Sequence, residues 1–179
     1  MTRPKLADAL RSAELICDRP TLDSAIRRMA GEIDQALGNE IPLFVPVMNG
    51  ALIFAAGLAL AIAHDLEFDY AHATRYRSGT RGHELRWIKK PRVSMKGRTV
   101  ILVDDILDEG HTLSAIRDYC VEQGAERVLI AALCEKRHGR TLPGIRADFV
   151  GVEVPDRYVF GFGMDYYEQG RNLPGIYAI

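Results

Sequence analysis

Val100 to Thr112 reads VILVDDILDEGHT, an apolar run that ends in Asp104 and Asp105 and continues through Asp108, Glu109, Gly110, His111 and Thr112. These residue types can serve two halves of one ligand. Asp104 and Asp105 can accept hydrogen bonds from two vicinal hydroxyls, or help hold a hydrated Mg²⁺. Gly110 permits a positive φ or a close backbone approach. The N–H groups at the start of a following helix, with the Thr112 hydroxyl, suit an anion. A sugar phosphate carries both a diol and a phosphate. Taken alone, the same residues also read as a solvated acidic loop with a helix cap.

The elements that must position this loop follow from periodicity. Thr99–Val103 is a continuous β-branched and leucine run, the pattern of a strand buried on both faces. Leu43–Val47 and Val128–Leu133 read the same way, and Asp148–Val154 and Tyr158–Phe162 as shorter strands. Helices are predicted over Leu22–Leu37, with Thr21 or Asp23 as cap, over Ala51–His64 and over Leu113–Val121. Phe68–Tyr76 is strand-like. The polar, basic Arg77–Pro91 reads as a long loop or loose hairpin, with Trp87 in a packing role. Alternating strands and helices predict an α/β fold with a mainly parallel central sheet flanked by helices. In such sheets ligands lie beyond the carboxyl ends of the strands, where the acidic segment begins.

Composition narrows the partners. Lys and Arg number 23 against 24 Asp and Glu, a formal charge of −1, so no global basic field favours nucleic acid. A hydrophobic fraction of 47% and a charged fraction of 26% are those of an ordinary globular chain. Cys17, Cys120 and Cys134 show no metal-binding spacing and read as reduced structural thiols. The first residues lack the apolar core of a signal peptide, and Ala51–Ala63 is too short to span a bilayer. A cytoplasmic protein without membrane contact is expected.

Four segments, VPVMNGALIF, ATRYRSGT, VILVDDILDEGHTL and PDRYVFGFGMDYYEQGRNLP, resemble in order the hypoxanthine-guanine branch of the type I phosphoribosyltransferases. The resemblance implies one domain over 1–179, with a small hood from segments near 1–20 and 155–179 and a mobile catalytic loop at about 75–91. It implies Mg²⁺-dependent transfer of 5-phosphoribosyl-1-pyrophosphate to hypoxanthine or guanine, by a homodimer or homotetramer. Asp104 and Asp105 would hold the ribose hydroxyls; Asp108, Glu109, Gly110, His111 and Thr112 would wrap the 5′-phosphate. Asp108 would also be the general base near purine N7. Asn49 and Gly50, preceded by a peptide that is sometimes cis in the family, would meet the pyrophosphate with Arg75, Tyr76 and Arg171. Lys136 would donate to the purine O6, Tyr158 would stack on the base, and the Val159 main chain would read its edge. Asp165 would lie at that pocket near a second Mg²⁺, so that Asp104, Asp105 and Asp165 are the metal candidates.

Two positions depart from the family pattern. Many relatives carry Thr at Glu109 and Lys at Asn49, and both changes remove electrostatic complement to phosphate. They motivate one alternative, a regulatory or binding protein without turnover; a second, an enzyme preferring xanthine, stays open because the sequence does not show the shape of the pocket end that meets purine position 2. Adenine is disfavoured, because it offers Lys136 no O6 acceptor. Among the histidines, only His111 is expected to respond to a ligand; His64, His72, His83 and His138 need no special role.

Overall fold

A computed structural model describes residues 3–75 and 85–179. The chain runs α1 (Leu6–Ser12), β1 (Glu14–Cys17), α2 (Arg19–Leu37), β2 (Leu43–Met48), α3 (Leu52–Ala61), β3 (Glu67–Phe68), β4 (Ala71–Arg75), β5 (Leu85–Lys89), β6 (Thr99–Leu107), α4 (His111–Glu122), β7 (Arg127–Lys136), β8 (Phe149–Val154), β9 (Val159–Phe160) and β10 (Ile176–Ala178). The main sheet has the order β5-β4-β2-β6-β7-β8, with β3 also on β2. Its pairs are parallel apart from the antiparallel β4/β5 hairpin. The α/β architecture with a mainly parallel sheet is therefore as expected.

Side chains alternate between two apolar layers. Phe44, Ile101, Val103, Ala131 and Leu133 face α2 and α3 on one side of the sheet. Val45, Val100, Leu102, Ile130 and Ala132 face α4 on the other. Both faces are covered, which is why the strands read as continuous apolar runs. From β2 the chain builds β3 and β4 on one flank, then crosses to β6 on the other. The strand order reverses between β2 and β6, and the loops after these two strands diverge there, opening a crevice.

A second, three-stranded antiparallel sheet, β1-β10-β9, joins the two ends of the chain into a hood. Buried Ala9, Phe160 and Tyr166 form its own small core, with Leu6 and Leu10 packed against them. The elements α1, β1 and β10 are too short to leave a periodic signal.

Several boundaries differ from expectation, each for a visible reason. Strand β6 continues to Leu107, because β7 runs beside it as far as Lys136 and pairs Ile106 with Cys134 and Leu107 with Glu135. Asp104 and Asp105 thus sit within a strand rather than in a loop. Helix α2 begins at Arg19, one turn early, because Asp18 caps it by accepting from Thr21 N–H at 2.9 Å and Pro20 suits the first turn. Helix α3 stops at Ala61 rather than His64: the Asp34 carboxylate accepts from the N–H groups of Ala63 and His64 at 3.0 and 3.3 Å. The C-terminal strand shrinks to Val159–Phe160, since Gly161, Phe162 and Gly163 take positive φ. The predicted loop at 77–91 contains β5, whose Trp87 packs on Tyr119 with ring centroids 4.9 Å apart. The rest of that loop lies outside the described residues.

All three cysteines are buried and unbridged. Burial pushes the Cys120 thiol up to about 12 and the Cys134 thiol well above its usual value, as expected of unreactive core thiols.

Candidate active site

The crevice between β2 and β6 is a cleft of about 330 Å³. Its walls bring together Asn49, Gly50, Asp104, Asp105, Asp108, Glu109, Gly110, His111, Thr112 and Arg171, ten of the residues predicted from sequence.

The floor is the acidic pair. Asp104 is 8% exposed, and its Oδ1 accepts from the Asp105 N–H at 3.0 Å. Burial, then the adjacent Asp105 charge, raises the Asp104 carboxyl well above the usual range. Burial also raises Asp105; a hydrogen bond with Asp104 and the Arg171 guanidinium offset this in part. Two neighbouring carboxylates, one buried and one half-buried, would be relieved by hydroxyl donors or a cation.

One wall is the turn after β2. The Met48–Asn49 peptide is cis, and Asn49 is exposed at the cleft. Gly50 is sandwiched: a Cβ there would overlap the Asp105 carboxylate, and a Cβ on Gly163 would overlap the Gly50 carbonyl oxygen. Arg171 lines the cleft and donates to the Gly163 carbonyl at 2.8 Å, a bond within the hood segment.

The opposite wall is the loop into α4. Gly110 caps the helix with φ +82°, and a Cβ there would come within 2.6 Å of Ile145 Cγ2. The start of α4 thus presents its first-turn donors at the cleft. The segment 138–142 braces the loop from behind: Leu142 N–H donates to the Glu109 carbonyl at 3.0 Å and Thr141 Oγ1 to the Asp108 carbonyl at 3.4 Å. The Glu109 carboxylate has the Arg140 guanidinium at 3.9 Å and the His111 ring at 3.5 Å.

At the rim, Asp108 is held at both carboxylate oxygens. Lys136 Nζ lies 2.7 Å from Oδ2 and His138 Nε2 lies 2.6 Å from Oδ1. Burial pushes the Asp108 carboxyl up, but hydrogen bonds from Lys136 and His138 outweigh it and hold it below the usual range. The part played by His138 corrects the sequence reading, which gave it none. Its side chain is 2% exposed. A signal was present: His138 lies two residues beyond Lys136 in a chain leaving a strand, and such residues share a face.

The remaining predicted residues lie on the hood or outside the description. Tyr158 is exposed, stacks on Tyr167 with centroids 6.1 Å apart, and donates to the Asp165 carbonyl at 3.2 Å. Val159 is buried and pairs with Ala178. The Asp165 carboxylate pairs with Arg171 at 2.8 Å and accepts from the Glu168 N–H at 2.8 Å. Arg75 ends β4, and Tyr76 lies outside the described residues.

Residues 12–169 match the phosphoribosyl transferase domain model. The chain belongs to the phosphoribosyltransferase family. Within this family it is 34% identical over 164 residues to the hypoxanthine-guanine phosphoribosyltransferase of Bacillus subtilis, covering 91% of each chain. Among solved phosphoribosyltransferases, a hypoxanthine-guanine enzyme from Bacillus anthracis superposes with a TM-score of 0.85 at 27% identity, covering 93% of this chain and 97% of that one. A hypoxanthine phosphoribosyltransferase from Staphylococcus aureus gives a TM-score of 0.87 at 26% identity, covering 93% and 90%. No described helix is long and apolar enough to cross a membrane.

Proposed function

We propose that this phosphoribosyltransferase joins hypoxanthine or guanine to 5-phosphoribosyl-1-pyrophosphate, giving IMP or GMP and pyrophosphate in purine salvage. The observation that carries the reading is the Lys136–Asp108 pair at the rim of a diol-and-phosphate cleft. It supplies a donor for an exocyclic ring oxygen and an acceptor for a ring proton side by side.

In this reading the ribose hydroxyls donate to Asp104 and Asp105, and the 5′-phosphate sits on the loop Asp108–Thr112 at the start of α4. Pyrophosphate lies against Asn49, Gly50 and Arg171, with Arg75 and Tyr76 from the hairpin side. The base lies between Tyr158 and the Lys136–Asp108 pair, with the Val159 main chain and Asp165 at the hood edge of its pocket. Lys136 turns from Asp108 to the purine O6, which uncovers Oδ2. N9 then bonds to C1′ as the C1′–O bond to pyrophosphate breaks, and the N7 proton passes to Asp108.

The donor set suits Mg²⁺ only in part. Asp104 and Asp105 offer adjacent carboxylates, but no cluster of three or more acidic, His or Cys ligands occurs among the described residues. Mg²⁺ commonly takes one or two carboxylates and completes its shell with substrate oxygens and water, which this pair permits. The Asp165 carboxylate is committed to Arg171 and the Glu168 amide, so it would serve a cation only after Arg171 turns to pyrophosphate. When bound, Mg²⁺ neutralises charge on the departing pyrophosphate.

Self-association is part of the proposal. Helix α3 buries Phe54, Ala55 and Leu58 in the core and leaves Leu52 and Leu60 exposed, a face suited to a second copy. Incubation with hypoxanthine, 5-phosphoribosyl-1-pyrophosphate and Mg²⁺ tests the reading: IMP and pyrophosphate are expected in equal amounts. Binding of both substrates without product would favour a regulatory protein instead.

A further inference from the structure

We propose that His138 is a positioning residue for Asp108, a neutral imidazole that donates from Nε2 to Oδ1 and keeps Oδ2 aimed at the purine. The inference rests on the reading of Asp108 as general base.

The ring's chemistry follows from its two partners. Backbone N–H of Arg140 donates to His138 Nδ1 at 3.0 Å, so Nδ1 carries a lone pair. The single ring proton then resides on Nε2, which faces Asp108 Oδ1 at 2.6 Å. The two terminal nitrogens of the Arg140 side chain reach both Asp156 oxygens at 2.8 Å. The tautomer is therefore set by the Arg140 amide at Nδ1 and Asp108 at Nε2.

Its use becomes clear when Lys136 leaves. The Lys136 ammonium serves Asp108 Oδ2 in the structure and would serve the purine oxygen during reaction. A carboxylate that loses its only side-chain partner can rotate about Cβ–Cγ. His138, 2% exposed and held by a backbone amide, does not leave with Lys136. It supplies a second, permanent donor that fixes the carboxylate plane while Oδ2 is open to the N7 proton. Fixing an acceptor in place before the reaction avoids reorganisation at the transition state.

The charged and titratable groups around Asp108 are Lys136 and His138, with Arg140 farther out and Glu109 adjacent in the loop. Removing His138 takes away one of the two hydrogen bonds that hold the Asp108 carboxyl low, so the acidic limb of the rate profile moves to higher pH.

His138→Leu and His138→Gln test this with hypoxanthine, 5-phosphoribosyl-1-pyrophosphate and Mg²⁺, across about pH 5 to 9. His138→Leu is expected to lower kcat about tenfold or more, raise the acidic limb, and leave KM for the pyrophosphate substrate within about twofold. Gln offers a donor at a reach like that of Nε2 and is expected to recover most of the loss. A Leu variant with parental kcat and an unmoved limb would overturn the proposal. If that variant fails to fold, ¹⁵N NMR of the parent near neutral pH decides. A neutral ring protonated at Nε2 upholds the assignment; a ring protonated at Nδ1, or at both nitrogens, overturns it. A parent that turns over no base would instead sink the transferase reading, and the NMR result would still judge the ring on its own.

Discussion

The carboxylate of Asp105 fills the space that a side chain on residue 50 would need, so the turn after β2 closes on β6 only with glycine at that position. Gly50→Ala must displace Asp105 or the turn itself. Overpacking of this kind costs about 1–3 kcal/mol. We expect kcat/KM for 5-phosphoribosyl-1-pyrophosphate to fall about tenfold or more, because both groups that the displacement moves face that substrate. Steady-state kinetics with a parallel thermal melt checks this.

Asp108→Asn keeps the shape of the loop and can still meet Lys136 or His138 through its oxygen, but it cannot take a ring proton. Loss of a general base commonly costs about 10²–10⁴ in rate. The expected pattern is a fall in kcat of that order, with affinity for the pyrophosphate substrate changed only a few-fold, measured by initial rates and calorimetry.

Asp104→Asn separates stability from function. Burial and the Asp105 charge raise the Asp104 carboxyl, so its ionised form opposes folding once the pH passes the unfolded value. Replacing it with a neutral amide is expected to stabilise the ligand-free protein by about 0.5–2 kcal/mol at neutral pH. It should also weaken binding of the ribose diol. Urea denaturation and substrate calorimetry on the same variant check both halves.

Asp69 governs the base of the β4/β5 hairpin. Burial pushes its carboxyl up, but bonds from Lys89 and from the amides of Val93, Arg92 and Tyr70 prevail and hold it at about 2. A lowered carboxyl contributes stability above its unfolded value and loses it as pH falls toward the folded one. From 3.8 to about 2, that contribution is about 2 kcal/mol. Asp69→Asn should lose it at pH 7 and differ little from the parent near pH 2, as read by denaturant titration.

The cleft was legible in sequence because its parts are local. Asp104 to Thr112 is one contiguous segment, and Asn49-Gly50 ends a short apolar run that reads as a buried strand. Periodicity also gave the two-sided sheet, since every central strand is apolar on both faces. The partnerships were harder to read, because they join distant residues. Asp69 meets Lys89 and Val93 across the hairpin, and Asp34 ends α3 by capturing amides 29 and 30 residues away. His138 looked like one more polar residue in EKRHGR; its spacing put it on the face of Lys136, and the fold brings that face to Asp108. The Glu109 departure likewise gains its meaning from Arg140, which no local pattern links to it.

The most direct measurement is a competition among hypoxanthine, guanine, xanthine and adenine for limiting 5-phosphoribosyl-1-pyrophosphate with Mg²⁺, the nucleotides being separated and quantified. The account predicts IMP and GMP as the main products and little or no AMP, because only 6-oxopurines offer an acceptor to Lys136. AMP as the main product, or no nucleotide from hypoxanthine, guanine or xanthine, would contradict it.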